Sequence, residues 1–149
     1  MRGAHMKILI IHGPNMNKLG KRDQDQYGTF SQEALFEMIT KKYPDIKFSF
    51  FQSNYEGELI DVIHDSNKFD GVIINPAALT HYSYALRDAM ETLEVPFCDV
   101  HLSDISRRED FRKINVLDGL SLKSFMGKKQ NSYFEAVSYI IQKIKSYLV

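Results

Sequence analysis

Three places in the chain set polar side chains at the end of an apolar run: Asn15 and Asn17 in the first, Asn75 in the second, and His101 with Ser103 in the third. The ends of parallel strands lie side by side, so amides, an imidazole and a hydroxyl arriving there together outweigh any one of them alone. Side chains alternate along a strand, which puts Asp99 and His101 on one face and Cys98 on the other. A carboxylate two residues from an imidazole can hold its tautomer and compensate its positive charge, which suits a general acid. Cys98 reads as a small core residue rather than a nucleophile.

The complementary base has to come from elsewhere. Tyr27 sits in a polar, Gly-punctuated loop together with Arg22. A free phenol with a pKa of ~10 ionises about 4 kcal/mol uphill at pH 7. One neighbouring cation recovers part of that, and Arg22 is the cation at hand. Arg108 and Arg112 stand four apart and could share a helical face, a spacing that suits an anionic substrate and equally a solvated turn.

Alternating strands and helices must position these groups. Lys7 to His12 reads as a strand buried on both faces, stopped by Gly13-Pro14. Ser31 is an N-cap for a helix to about Tyr43, with Ala34, Leu35, Met38 and Ile39 on one face and Pro44 as its stop. Ile46 to Gln52 is the second strand, and Leu59, Ile60, Val62 and Ile63 stripe the next helix. Val72-Ile73-Ile74 is a short central strand ending at Asn75-Pro76, and Thr80 to Ser83 opens a helix carrying Ala85, Leu86, Ala89, Met90 and Leu93. Val95 to His101 is the fourth strand, Arg107 to Arg112 a charged loop or short helix, Leu120 to Met126 the fifth strand, and Ser132 to Leu148 the last helix. The pattern predicts an α/β fold: a doubly wound, five-stranded parallel sheet of flavodoxin-like type in three layers.

Composition narrows the partners. A chain of 149 residues fits one domain, able to bury roughly 70% of its unfolded surface without staples. Lys plus Arg equal Asp plus Glu at 19 each, so bulk charge points to neither nucleic acid nor an anionic membrane. A lone cysteine, no apolar run long enough to span a bilayer and no signal-peptide core make the cytoplasm the expected compartment. Met1 to His5 has no pattern of its own and reads as an expression remnant, leaving 6–149 as the domain. There is no Gly-x-Gly-x-x-Gly, no Walker A sequence and no Cys or His pair at metal-ligand spacing, so neither cofactor nor metal is expected.

From Met6 onward the chain resembles the type II 3-dehydroquinate dehydratases. The most specific stretches are Gly13-Pro14-Asn15-Met16-Asn17-Lys18-Leu19-Gly20, Arg22 with Tyr27-Gly28, Gln52 through Asp61, Ile74 through His81, Ala85 through Ala89, and Val100-His101-Leu102-Ser103. The resemblance implies a shikimate-pathway lyase serving aromatic amino acid biosynthesis, acting without metal, cofactor or Schiff base. It assigns Tyr27 as the base beside the substrate ketone, Arg22 as the group favouring its ionised form, Asn15 as the holder of a water against the enolate, and His101 as the acid for the departing hydroxyl. Leu102 and Ser103 would bind the carboxylate, Asn75, His81 and Arg112 the ring hydroxyls, and Arg108 would help close the site. Asp88 would come from a neighbouring subunit of a homododecamer built of trimers.

Two departures from the family pattern bear on that expectation. Asp99 stands where Glu is usual, one methylene shorter, so its bond to His101 is expected to be stretched. Asp104 stands where Asn is usual and would add negative charge near the substrate carboxylate. Both motivate a second expectation, a non-catalytic small-ligand or assembly protein that retains the fold. From Lys113 onward the motifs thin out.

Overall fold

The computed structural model describes residues 5–148, so the proposed remnant lies, from Met1 to Ala4, outside the described residues. Five parallel strands, β1 (Met6–His12), β2 (Ile46–Gln52), β3 (Gly71–Asn75), β4 (Phe97–His101) and β5 (Ser124–Met126), form one sheet in the order 2-1-3-4-5. The helices are α1 (Gln24–Tyr27), α2 (Gln32–Lys42), α3 (Glu56–His64), α4 (Tyr84–Glu91) and α5 (Gln130–Tyr147). This is the doubly wound flavodoxin-like arrangement, and its strand order reverses between β1 and β3, where such sheets open a crevice at their carboxyl ends.

Strand parity sorts the core into two layers. Ile8, Ile10, Ile73, Cys98 and Val100 face Leu35 and Ile39 of α2 and Tyr133, Val137, Ile140 and Ile144 of α5. Leu9, Ile11, Val72, Ile74 and Phe97 face Leu59 and Ile63 of α3 and Leu86 and Met90 of α4. Both sets are buried, which is why these strands read as unbroken apolar runs rather than alternating ones.

The helix signals act as their chemistry dictates. The Ser31 side chain accepts from the Ala34 N–H and caps α2, which ends at Lys42 ahead of Pro44. Ser83 caps α4 through the Leu86 N–H, so that helix starts at Tyr84, while Ala77–His81 forms a separate 3-10 turn and Leu93 falls beyond the helix end. The fourth strand begins at Phe97, not Val95: Pro96 has no N–H to pair and contributes only its carbonyl, to Val72. The fifth is shorter than expected because Leu120 and Ser121 N–H groups turn back onto the Leu117 carbonyl instead of joining the ladder.

One close approach draws the strand ends together. Gly13 donates to the Asn75 carbonyl at 2.8 Å, and a Cβ at Gly13 would overlap the Pro76 carbonyl. Only glycine lets the loops after β1 and β3 meet here. No described helix is long and apolar enough to cross a membrane.

Candidate active site

The carboxyl ends of β3 and β4 and the loop after β1 enclose a cleft of about 400 Å³ including its mouth. Its walls carry Arg22, Tyr27, Asn75, His81, His101, Leu102, Ser103, Arg108 and Arg112, so nine of the side chains singled out from sequence meet around one space.

His101 ends β4, and its Nε2 donates to Asp99 Oδ2 at 2.8 Å. The expected stretching does not occur. Asp99 is wholly buried and accepts three further hydrogen bonds, from Asn115 Nδ2 at 2.8 Å, Ser121 Oγ at 2.6 Å and Ser124 Oγ at 2.7 Å. These donors come from β5 and the segment before it: Ser121 and Ser124 take Oδ1, while Asn115 shares Oδ2 with His101, and together they fasten the shorter carboxylate. Burial by itself would raise the Asp99 carboxyl, but the hydrogen bond and charge of His101, with the Ser121 and Ser124 hydroxyls, outweigh it and hold the group below the usual carboxylate range. With Nε2 committed to the carboxylate, Nδ1 is the ring nitrogen left for a ligand.

Tyr27 ends the one-turn helix α1, whose Asp23 cap accepts from the Asp25 N–H. Its hydroxyl accepts from Arg108 Nη1 at 2.7 Å, while the Arg22 guanidinium lies over the ring face, 4.1 Å from the centroid. Sequence reasoning had offered Arg22 as the cation for the phenol and Arg108 for closure. The geometry instead brings Arg108 to the oxygen and Arg22 to the π face. Arg108 reaches Ser103 Oγ as well, at 3.3 Å.

Glu109, which the sequence reading passed over, carries a carboxylate 3.7 Å from Arg108 Nε and accepts from Arg112 Nε at 3.2 Å. Its position between two wall arginines was the available signal. His81 donates from Nδ1 to the Ile114 carbonyl at 2.8 Å, which leaves Nε2 uncommitted. Burial lowers the His81 pKa, opposed by that carbonyl and reinforced by Arg112, His101 and Arg108.

Two expected residues stand apart. Asn15 is exposed in a left-handed conformation that asparagine tolerates, its N–H donating to Asn54 Oδ1 at 2.9 Å, and it is not among the cleft walls. Asp88 is exposed on α4 and likewise does not line the cleft of its own chain. Asp104 is turned to local work, capping the Ile105–Arg107 turn through the Ser106 N–H and pairing with Arg107, and it does not line the cleft. The described residues contain no cluster of three or more His, Cys, Asp or Glu able to hold a metal. Asn115, Ser121 and Ser124 were also missed, although the register pairs Ser124 directly with Asp99.

Comparison with known proteins places this geometry in context. The family model described as dehydroquinase class II matches residues 6–141, well into the segment where the motifs thin. A 3-dehydroquinate dehydratase of Thermotoga petrophila is 46% identical over 142 residues, covering 94% of this chain and 98% of that protein. One of Halothermothrix orenii is 44% identical, covering 93% and 96% respectively. The crystal structure of type II dehydroquinase from Butyrivibrio crossotus superposes with a TM-score of 0.89 at 40% identity, covering 93% of this chain and 99% of that one. That from Propionibacterium acnes gives 0.86 at 31% identity, covering 91% and 97%. With so much of the chain matched in both sequence and fold, this protein belongs to the class II dehydroquinase family.

Proposed function

We propose that the chain is a 3-dehydroquinate dehydratase of the shikimate pathway, eliminating water from 3-dehydroquinate to give 3-dehydroshikimate. Tyr27, ionised, takes a proton from the carbon beside the ketone. The electron pair moves onto the ketone oxygen as an enolate, which collapses to expel the hydroxyl as His101 protonates it. Water leaves, and a conjugated enone remains. The route consists of two proton transfers and an oxyanion, so it draws on acid–base groups and prepositioned donors alone.

One observation carries the reading. A phenol hydroxyl bonded to a guanidinium and an imidazole bonded to a buried carboxylate border the same small cleft. Arg108 donates to the phenol oxygen and Arg22 lies over the ring, so the assigned base stands between two guanidinium groups. Leu102 and Ser103 are assigned to the substrate carboxylate, and Asn75, His81 and Arg112 to the ring hydroxyls. Asn15 is assigned a water at the rim, and loop closure would bring it inward. Asp88 is assigned to a neighbouring subunit's site in a homododecamer built of trimers, within the cytoplasm.

Mixing purified protein with 3-dehydroquinate is expected to give a rising ultraviolet absorbance from the enone. A flat trace alongside calorimetric binding of the same compound would overturn the catalytic reading and leave a ligand-binding protein.

A further inference from the structure

Asn75 is held from behind by a chain of buried groups that the reaction itself does not use. Its Oδ1 accepts from the Ala77 N–H at 3.0 Å, and its Nδ2 donates to the Tyr133 hydroxyl oxygen at 3.0 Å. The Tyr133 oxygen lies 2.8 Å from His12 Nε2, and His12 Nδ1 lies 2.7 Å from Gln32 Oε1. Strand parity makes this possible, because His12 of β1 and Asn75 of β3 face the same layer as Ile8, Ile10 and Ile73, where α2 and α5 supply Gln32 and Tyr133. His12 and Tyr133 are fully buried, and Gln32 and Asn75 nearly so.

Only one direction of hydrogen bonding satisfies all four groups. The Ala77 N–H can only donate, so it takes Asn75 Oδ1 and turns Nδ2 toward Tyr133. The phenol oxygen therefore accepts, and its single proton goes to His12 Nε2. That nitrogen must be bare, so Nδ1 carries the ring proton and donates to Gln32. Burial keeps the ring neutral at ordinary pH, pushing its pKa down to about 4 against the opposing bond to Gln32. Burial also raises the Tyr133 phenol, so it keeps its proton. Reversing the chain would set the Asn75 amide nitrogen against the Ala77 N–H, two donors face to face.

We propose that Tyr133 and His12 are positioning residues, which through this relay lock the Asn75 amide so that its remaining N–H points into the cleft and donates to a substrate oxygen offering a lone pair. Asn75 thereby reads a ring hydroxyl or alkoxide through that N–H, as a hydrogen-bond acceptor. Tyr133 and His12 contact no substrate; they act through Asn75. The kinetic part of the test rests on the dehydratase reading.

The relay is checked first in the wild-type protein by nitrogen NMR of the His12 ring, which is expected to show a protonated Nδ1 and a bare Nε2. A protonated Nε2 would overturn the proposal whatever the activity. Kinetics then use Tyr133→Phe alone and with Asn75→Ala. Tyr133→Phe is expected to lower kcat/KM about five- to tenfold, mostly through KM, the size of one neutral hydrogen bond. In the Asn75→Ala background the same change is expected to cost less than about twofold, since coupled residues fail to add. Equal losses in both backgrounds would reduce Tyr133 to a core residue and overturn the proposal. If Tyr133→Phe does not fold, the ring tautomer decides alone. A wild-type assay that stays flat speaks against the dehydratase reading, again leaving the tautomer to decide the relay.

Discussion

The two sides of the cleft are built on different principles. His101 stands at the end of a central strand, fastened to a wholly buried carboxylate that accepts four hydrogen bonds from β4, β5 and the segment between them. Tyr27 stands on a single helical turn in the loop after β1, partly exposed, and its hydroxyl depends on an arginine far along the chain. The imidazole is oriented by the sheet before any ligand arrives. The phenol is placed by a contact between a one-turn helix and the end of a 3-10 turn, both outside the sheet. A reaction that needs an acid in fixed register and a base that closes over the ring would use such a division.

The sharpest way to break the contrast is to delete each proposed reacting group. Tyr27→Phe and His101→Ala are each expected to lower kcat by about 10³-fold or more, with circular dichroism unchanged. Full activity in Tyr27→Phe would remove the loop from the chemistry. Next, Asp99→Asn presents an amide to four donors and is expected to cost about 2–4 kcal/mol of stability and one to two orders of magnitude in kcat. Because folding depresses the Asp99 carboxyl, its stabilisation is present above the ordinary carboxylate pKa of about 4 and is lost as pH falls through the lower folded value. The stability gap between wild type and Asp99→Asn, measured by denaturant titration, should therefore narrow in strong acid.

The fixed side carries a second buried ring whose titration runs toward instability. His12 has a folded pKa of about 4, below its unfolded value, so the unfolded chain binds the extra proton between about pH 6.5 and 4. Acidification across that window is expected to remove up to about 3 kcal/mol through this group, with no further loss from it below. His12→Gln should flatten that limb of the pH–stability curve. An unchanged limb would show that another group carries it. The smallest effect concerns the loop side: Arg108→Lys keeps the charge but loses the planar guanidinium whose Nη1 bonds both Tyr27 and Ser103, and about a tenfold fall in kcat/KM with stability unchanged is expected. A stability loss instead would mean that Arg108 holds the fold rather than the phenol.

Much of the architecture was legible from local chemistry. The apolar strands, the Ser31 cap and the stops at Pro44 and Pro76 follow from propensity, period and missing N–H groups, which act within a few residues. The pairing of Asp99 with His101 followed too, since strand parity is a two-residue rule. What escaped was set by contacts between distant segments. Strand five shrank because Leu117 recaptured the N–H groups of Leu120 and Ser121. The shorter Asp99 stayed bonded because Asn115, Ser121 and Ser124 fold against it, in a region where the motifs are weak.

By itself, then, the order of residues determined the parallel sheet, the strand ends at which polar groups gather, and the face to which His101 turns. Only the tertiary structure decided which arginine meets the Tyr27 oxygen, and that His12, Gln32 and Tyr133 stand behind Asn75. The reason is physical: periodicity and capping act along the chain, whereas a hydrogen bond between residues 27 and 108, or 12 and 133, exists only once the layers have packed.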